Sequence, residues 1–162
     1  MESALKADIV SIIENGKDLT LATLREDGWP QATTVSYAGE GTAIYFGCGA
    51  QSQKARNLAR DDRVSATINL DYGLWSEIRG LSIGGRAHRL TDPADMARAG
   101  AVFLKKFGPQ IGQYVTDETP EMAMFQIVPA VISVLDYRKG FGHTDLVTAA
   151  ELAACVAVPA AA

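Results

Sequence analysis

Reactive and metal-binding side chains are scarce in this chain of 162 residues: there are two cysteines, Cys48 and Cys155, and two histidines, His88 and His143. The cysteines lie far apart with no CxxC spacing, so neither a disulfide framework nor a zinc site is supported, no metal is expected, and two free thiols are. Positive charge is also short. Fifteen Lys and Arg against nineteen Asp and Glu give a formal net charge of −4, which argues against a nucleic-acid partner and confines any anion site to a local cluster. No apolar run is long enough to cross a membrane. The opening MESALKADIVSIIENGK is charged and periodic, without a basic segment followed by an apolar one, so the expectation is a cytoplasmic protein with no membrane partner. No paired carboxylates and no Ser-His-Asp or Cys-His arrangement stand out, so hydrolysis lacks support. Internal repeats and linkers are absent too. The length suits one domain with a core that needs no staple.

What is present is short-period apolar patterning. ALKADIVSIIENG places Leu5, Ile9, Ile12 and Ile13 on one helical face, with Gly16 as a stop. DLTLATLR, PQATTVSYA and TAIYFGC follow in quick succession, separated by EDGW and GEG, which are too short for helical crossovers and predict an antiparallel meander. A short helix follows near residues 52 to 60, and then RVSATINLD turns Val64, Ala66, Ile68 and Leu70 inward, as LSIGGRAHRL does Leu81, Ile83 and Ala87. TDPADMARAGAVFLKKFG predicts a helix opened by Asp92 and Pro93, with Met96, Val102 and Phe103 available for an apolar face and lysines at its end. EMAMFQIVPAVISVLDY is strand-like, with Pro129 at a bulge or an edge. These segments predict a mainly β fold, a closed six-stranded antiparallel barrel with peripheral helices. A domain over residues 1–147 and an alanine-rich tail over 148–162 are expected, the tail being a short covering helix or a loosely anchored end.

The stretch GCGAQSQKARNLARDD, residues 47 to 62, puts Lys54 and Arg56 in the first turn of a helix, where the dipole opposes positive charge. Neither the GxxxxGK[ST] nor the GxGxxG spacing is met. Gly47 and Gly49 can nevertheless turn the backbone, and the Ser52 hydroxyl, the free N–H groups and the Lys54 ammonium can converge on one anion. A capped helix end with solvated charges fits the same residues.

The run from LATLREDGWPQATTVSY through AIYFGCGAQSQKARNLARDDRVSATI to IRGLSIGGRAHRL resembles the pyridoxamine 5′-phosphate oxidase-like family of FMN-binding split barrels, over roughly residues 5 to 140. The resemblance implies a six-stranded split β-barrel of Greek-key type and a homodimer with FMN at the subunit interface. It implies that Ser52, Gln53 and Lys54 hold the FMN phosphate, with Gln53 standing where an Arg is usual and Arg56 a compensating cation, and that Thr33, Thr34 and Val35 line the flavin ring. Gly80 stands where relatives place a long polar side chain toward the flavin, and Arg79 is the implied substitute. The basic residues that the oxidase carries at the positions of Thr33 and Ala38 are missing, as is its C-terminal Trp and Arg-His signature, so pyridoxamine 5′-phosphate is not the expected substrate. The expected function is a flavin-dependent oxidoreductase acting on another small molecule. The alternatives are a deazaflavin-dependent reductase and a non-enzymatic flavin or haem carrier or sensor.

Outside that pattern, Arg138 and His143 are candidate substrate contacts, Arg138 with Lys139 as cations and His143 as an imidazole in a glycine-rich segment. Solvated charge and a loop hydrogen bond fit them equally. His88 is expected to face solvent, and Trp75 to pack, to stack on a flavin or to close a dimer contact.

Overall fold

A computed structural model describes the backbone of residues 3–114 and 121–156 and the side chains of 4–111 and 121–152. In chain order the elements are α1 (Ser3–Asn15), β1 (Asp18–Leu24), β2 (Pro30–Glu40), β3 (Ala43–Gly49), α2 (Gln53–Arg60), β4 (Arg63–Asn69), β5 (Arg79–Arg89), α3 (Pro93–Phe107), β6 (Met122–Asp136), β7 (Thr144–Thr148) and α4 (Ala149–Val156). Every strand pairing is antiparallel, in the order β3-β2-β1-β4-β5-β6-β7, and β3 also pairs with β6. The β3–β6 pairing closes a six-stranded barrel. Because β4 returns through α2 to lie beside β1, the first four strands form a Greek key.

β6 is the strand that splits the barrel. Its first half, from Met122 to Ile127, closes on β3, and its second half, from Val131 to Leu135, pairs with β7 instead. Between them the register against β5 slips, with Gly84 opposite Val131 and Gly85 opposite Pro129. Pro129 therefore sits at a bulge between two partners, where its missing N–H breaks neither ladder. Gly85 fits the bulge because a Cβ there would lie 2.4 Å from the Val128 carbonyl oxygen. β7 is a finding the sequence did not announce. TDLVT buries only Val147, too little alternation to mark a strand. The segment after it is α4, whose Leu152 joins the core.

The barrel interior is filled by the inward-facing residues of each strand, among them Leu19, Leu21, Tyr37, Ile68 and Ile83, with Phe46 and Phe125 stacked at 5.2 Å. Ile9, Ile12 and Ile13 of α1 join this core, and the buried Tyr37 hydroxyl donates to the Ile13 carbonyl at 2.7 Å. α3 packs on the outside, Ala99 and Val102 against Ala38 and Tyr45. Asp92 caps it, accepting from the N–H groups of Ala94 and Asp95 at 2.9 and 3.3 Å. At its other end Lys106 donates to the Gly16 carbonyl at 2.7 Å and lies 3.7 Å from the centre of the Tyr37 ring. Burial there holds the Lys106 ammonium below its ordinary pKa. Among the described residues no helix is long and apolar enough to cross a membrane.

Candidate functional site

The exterior of the barrel carries a cavity of about 730 Å³ between the sheet and α3. Strand alternation decides which side chains reach it. Val35 and Tyr37 of β2 and Phe46 and Cys48 of β3 point into the core, so Thr34 and Ser36, Gly47 and Gly49 are left on the outer face. β6 adds Met124 opposite Gly47 and Met122 opposite Gly49. The wall is the face of α3 formed by Met96, Gly100 and Phe103, which recur at i, i+4 and i+7. Three of the four methionines in the chain line this one space. Among the described residues Lys54 is the one charged group that borders it.

The helix that carries Lys54 is held from below. Ser52 has an extended backbone, φ −67° and ψ 157°, and its Oγ accepts from the Ala55 N–H at 3.3 Å, leaving the hydroxyl proton free. Asn57, only 2% exposed, donates to Thr23 Oγ1 at 2.9 Å and to Gln31 Oε1 at 3.3 Å, and accepts from Gln53 Nε2 at 2.9 Å. Gln53 in turn accepts from Arg56 at 2.9 Å, and Arg56 also donates to the Gln51 carbonyl. Arg60 donates to the carbonyls of Leu24 and Arg25 at 2.9 and 2.6 Å. The cations of α2 are thus divided: Arg56 and Arg60 tie the helix to itself and to the β1–β2 hairpin. Lys54 has no partner among the described residues. An ammonium at a capped helix N-terminus, beside N–H groups that point outward, favours an anion that both can share.

Of the residues predicted from sequence, Thr34, Val35 and Lys54 border the cavity, and Ser52 and Gln53 shape the turn beside it. Thr33, although in the same strand phase as Val35, is not among the residues that border it. Arg79, Arg138 and His143 are elsewhere, each in a charge-paired setting. Arg79 donates to Asp8 at 2.7 Å, and Arg138 lies 2.6 Å from Asp136 and 3.5 Å from Asp8. The Arg138 guanidinium holds the Asp136 carboxyl below its ordinary 3.8. His143 Nε2 is 3.1 Å from Asp145, whose other partner, Lys139, is at 2.7 Å. Gly80 has no room for a side chain, since a Cβ would meet Asn69 Oδ1 at 2.6 Å. Trp75 is 70% exposed and outside the cavity, and His88 faces solvent with Asp62 at 3.9 Å. Cys48 is a free buried thiol, and the Cys155 side chain lies outside the described residues.

Sequence reasoning missed the wall. Gly100, Met122 and Met124 were not singled out, although EMAMFQIV is apolar on both faces of its strand, a sign that something covers the outside. The two open glycines carry a second sign. A Cβ at Gly49 or Gly100 would meet nothing within 4 Å, and neither residue has positive φ. Gly100 costs the interior of α3 about 1 kcal/mol relative to Ala, with no contact among the described residues to explain it.

A closed, split six-stranded barrel with a helix-capped cation at the rim of an external apolar cavity defines the class of protein. The sequence signature of pyridoxamine 5′-phosphate oxidase matches residues 5–136, and the chain belongs to that family. A conserved hypothetical protein of Mycobacterium tuberculosis is similar at 32% identity and TM-score 0.68, over 90% of this chain and 91% of that one. A haem-binding protein of Mycobacterium smegmatis superposes with TM-score 0.75 at 24% identity, over 95% of this chain, which spans 61% of that protein's length. A Clostridium acetobutylicum protein related to general stress protein 26, of the pyridoxinephosphate oxidase family, shares the fold at 13% identity and TM-score 0.70, over 94% of this chain and 99% of that one. No curated protein matches the sequence.

Proposed function

We propose that the chain is an FMN-binding oxidoreductase that acts on a small molecule other than pyridoxamine 5′-phosphate. The observation that carries this is the Lys54 ammonium, unpartnered among the described residues and beside the Ser52 cap, at the rim of a cavity whose other described lining is apolar, hydroxyl or glycine. A phosphate would be held by the Lys54 ammonium, a hydrogen bond from the Ser52 hydroxyl and the free first-turn N–H groups, and the apolar space beside Thr34, Gly47 and Gly49 would take a planar ring. FMN, when bound, supplies the acceptor and donor of electron pairs. The protein's part is to fix the phosphate, to present an apolar wall that excludes water, and to leave one ring face for a second molecule. Thr34 and Ser36 offer hydroxyls at the floor for hydrogen bonds to ring heteroatoms.

Two features speak against pyridoxamine 5′-phosphate. Thr33 does not reach the cavity, and Ala38, fully buried, is packed beneath Ala99 and Val102 of α3. A cation at position 38 would have to displace that helix. A phosphorylated substrate would then shed its hydration with no cation from either position to receive it.

A homodimer with each flavin between two chains is part of the same proposal. It rests on the family resemblance, and a cytoplasmic setting is proposed with it. A haem carrier is the second reading, favoured by the thioethers of Met96, Met122 and Met124 as soft axial ligands and by the haem-binding relative. The absorption spectrum of the purified protein, with the mass of the released ligand, separates the readings. Oxidised-flavin bands with the mass of FMN support the proposal, a deazaflavin mass replaces the cofactor, and a Soret band overturns it in favour of haem.

A further inference from the structure

We propose that Gly100 is a specificity-determining residue of the cavity: its missing side chain opens a notch in α3, between Met96 and Phe103, that seats the edge of a planar aromatic ring. Identifying that ring as the isoalloxazine rests on the flavin reading above. Position 100 lies in the interior of a fifteen-residue helix, where glycine is a poor choice unless a turn or a close neighbour demands it. Neither applies. Its φ is not positive, and apart from its chain neighbours and its own helix backbone no atom of the described residues lies within 4 Å of the place a Cβ would take. The adjacent Ala99 is buried against the barrel, and the neighbouring face of α3, with Met96, Gly100 and Phe103, borders the cavity beside that contact.

The facing surface repeats the pattern. Gly49, on the last turn of chain before α2, also has open space where a Cβ would be. Floor and wall therefore each keep a methyl-sized clearance that packing within the chain does not use. The groups around the notch suit an aromatic ring: Met96, Met122 and Met124 offer thioethers to ring edges, and Phe103 offers a ring face or edge. Lys54 fixes the polarity of the guest, an aromatic body with an anionic tail.

The test compares Gly100→Ala and Gly49→Ala with the unaltered protein, by thermal unfolding without ligand and by titration with FMN and with riboflavin. Gly100→Ala is expected to raise Tm by about 2 to 4 °C, because alanine favours the helix and clashes with nothing. Its affinity for both flavins is expected to fall by about tenfold or more, because the added methyl occupies the notch. Gly49→Ala is expected to weaken both flavins with no fall in Tm. Unchanged flavin affinity in Gly100→Ala overturns the proposal, as does a fall in Tm that accompanies the loss, which would make position 100 a packing site. A shift in sedimentation with flavin affinity intact would assign the notch to a second copy of the chain and also overturns it. Failure of the flavin reading itself looks different: the unaltered protein then binds neither FMN nor riboflavin.

Discussion

Two clusters of positive charge in this molecule have opposite fates. Beneath α1, Arg79 and Arg138 share Asp8 and Arg138 also pairs with Asp136, and close by Lys139 and His143 share Asp145. At the rim of the cavity, Lys54 faces an apolar wall with no carboxylate among the described residues to answer it. In the first cluster the charges are paired within the fold, although the buried Arg79 Nε has no hydrogen-bond partner among the described residues. In the second no described residue answers it, and the anion we propose for it comes from outside. The difference shows that a cation's type and its place in the sequence do not assign its role. What assigns it is whether the fold delivers an anion to it, and Asp8 reaches Arg79 from 71 positions away.

The polar chain beneath α2 gives the largest expected effect. Asn57→Ala removes the bonds to Thr23, Gln31 and Gln53 and leaves the nearly buried Thr23 hydroxyl without that donor. A stability loss of about 2 to 3 kcal/mol is expected from urea unfolding, whereas Lys54→Ala should stay within about 0.5 kcal/mol of the unaltered protein. A large loss in Lys54→Ala would mean that its ammonium is used by the fold, and the contrast between the clusters would fail.

A smaller effect is expected under α1. Asp136→Asn keeps the shape and loses the charge-assisted bonds to Arg138, for about 1 kcal/mol at neutral pH, since Arg138 is half exposed and screened. The Asp136 carboxyl titrates below its ordinary 3.8 in the folded protein. Its contribution is therefore complete above the unfolded-state value and fades as pH falls through the lower folded one. The stability gap between Asp136→Asn and the unaltered protein should close in acid, as followed by denaturant midpoints across pH. A gap that stays constant with pH would remove the ion pair as its cause.

The smallest effect sharpens the comparison from the other side. His143→Ala leaves Asp145 paired with Lys139, and nothing in the cavity changes. Flavin affinity is expected within twofold of the unaltered value, about 0.4 kcal/mol. A tenfold loss by the same titration would bring His143 back as a ligand contact, from this chain or from a second copy.

The barrel was largely legible because its strands alternate with period two and its helices with 3.6. Leu19, Val64, Ile68, Leu81 and Ile83 are buried as the pattern requires, and Ile9, Ile12 and Ile13 share the buried face of α1. Pro129 marked the bulge through its missing N–H. The site was legible only where chemistry is local: Ser52 as a cap and Lys54 as a cation beside it. Thr33 and Thr34 show why the rest was not. Both are β-branched strand residues, and only closure of the barrel decides which of two neighbours faces out. The α3 wall depends on Ala38 lying under Ala99, a contact between positions 61 apart that no periodicity encodes. Arg79 is taken up by Asp8 from α1, a contact across 71 positions that no local pattern encodes, whereas Arg138 pairs with Asp136 only two residues before it.

The claim that Lys54 is kept free for a phosphate is tested most directly by titrating the unaltered protein and Lys54→Ala with FMN and with riboflavin, which share the ring and differ in the phosphate. The account predicts that Lys54→Ala loses about 30-fold or more in FMN affinity, on the order of 2 kcal/mol, while riboflavin binds both proteins equally. FMN binding both proteins with the same affinity would contradict it.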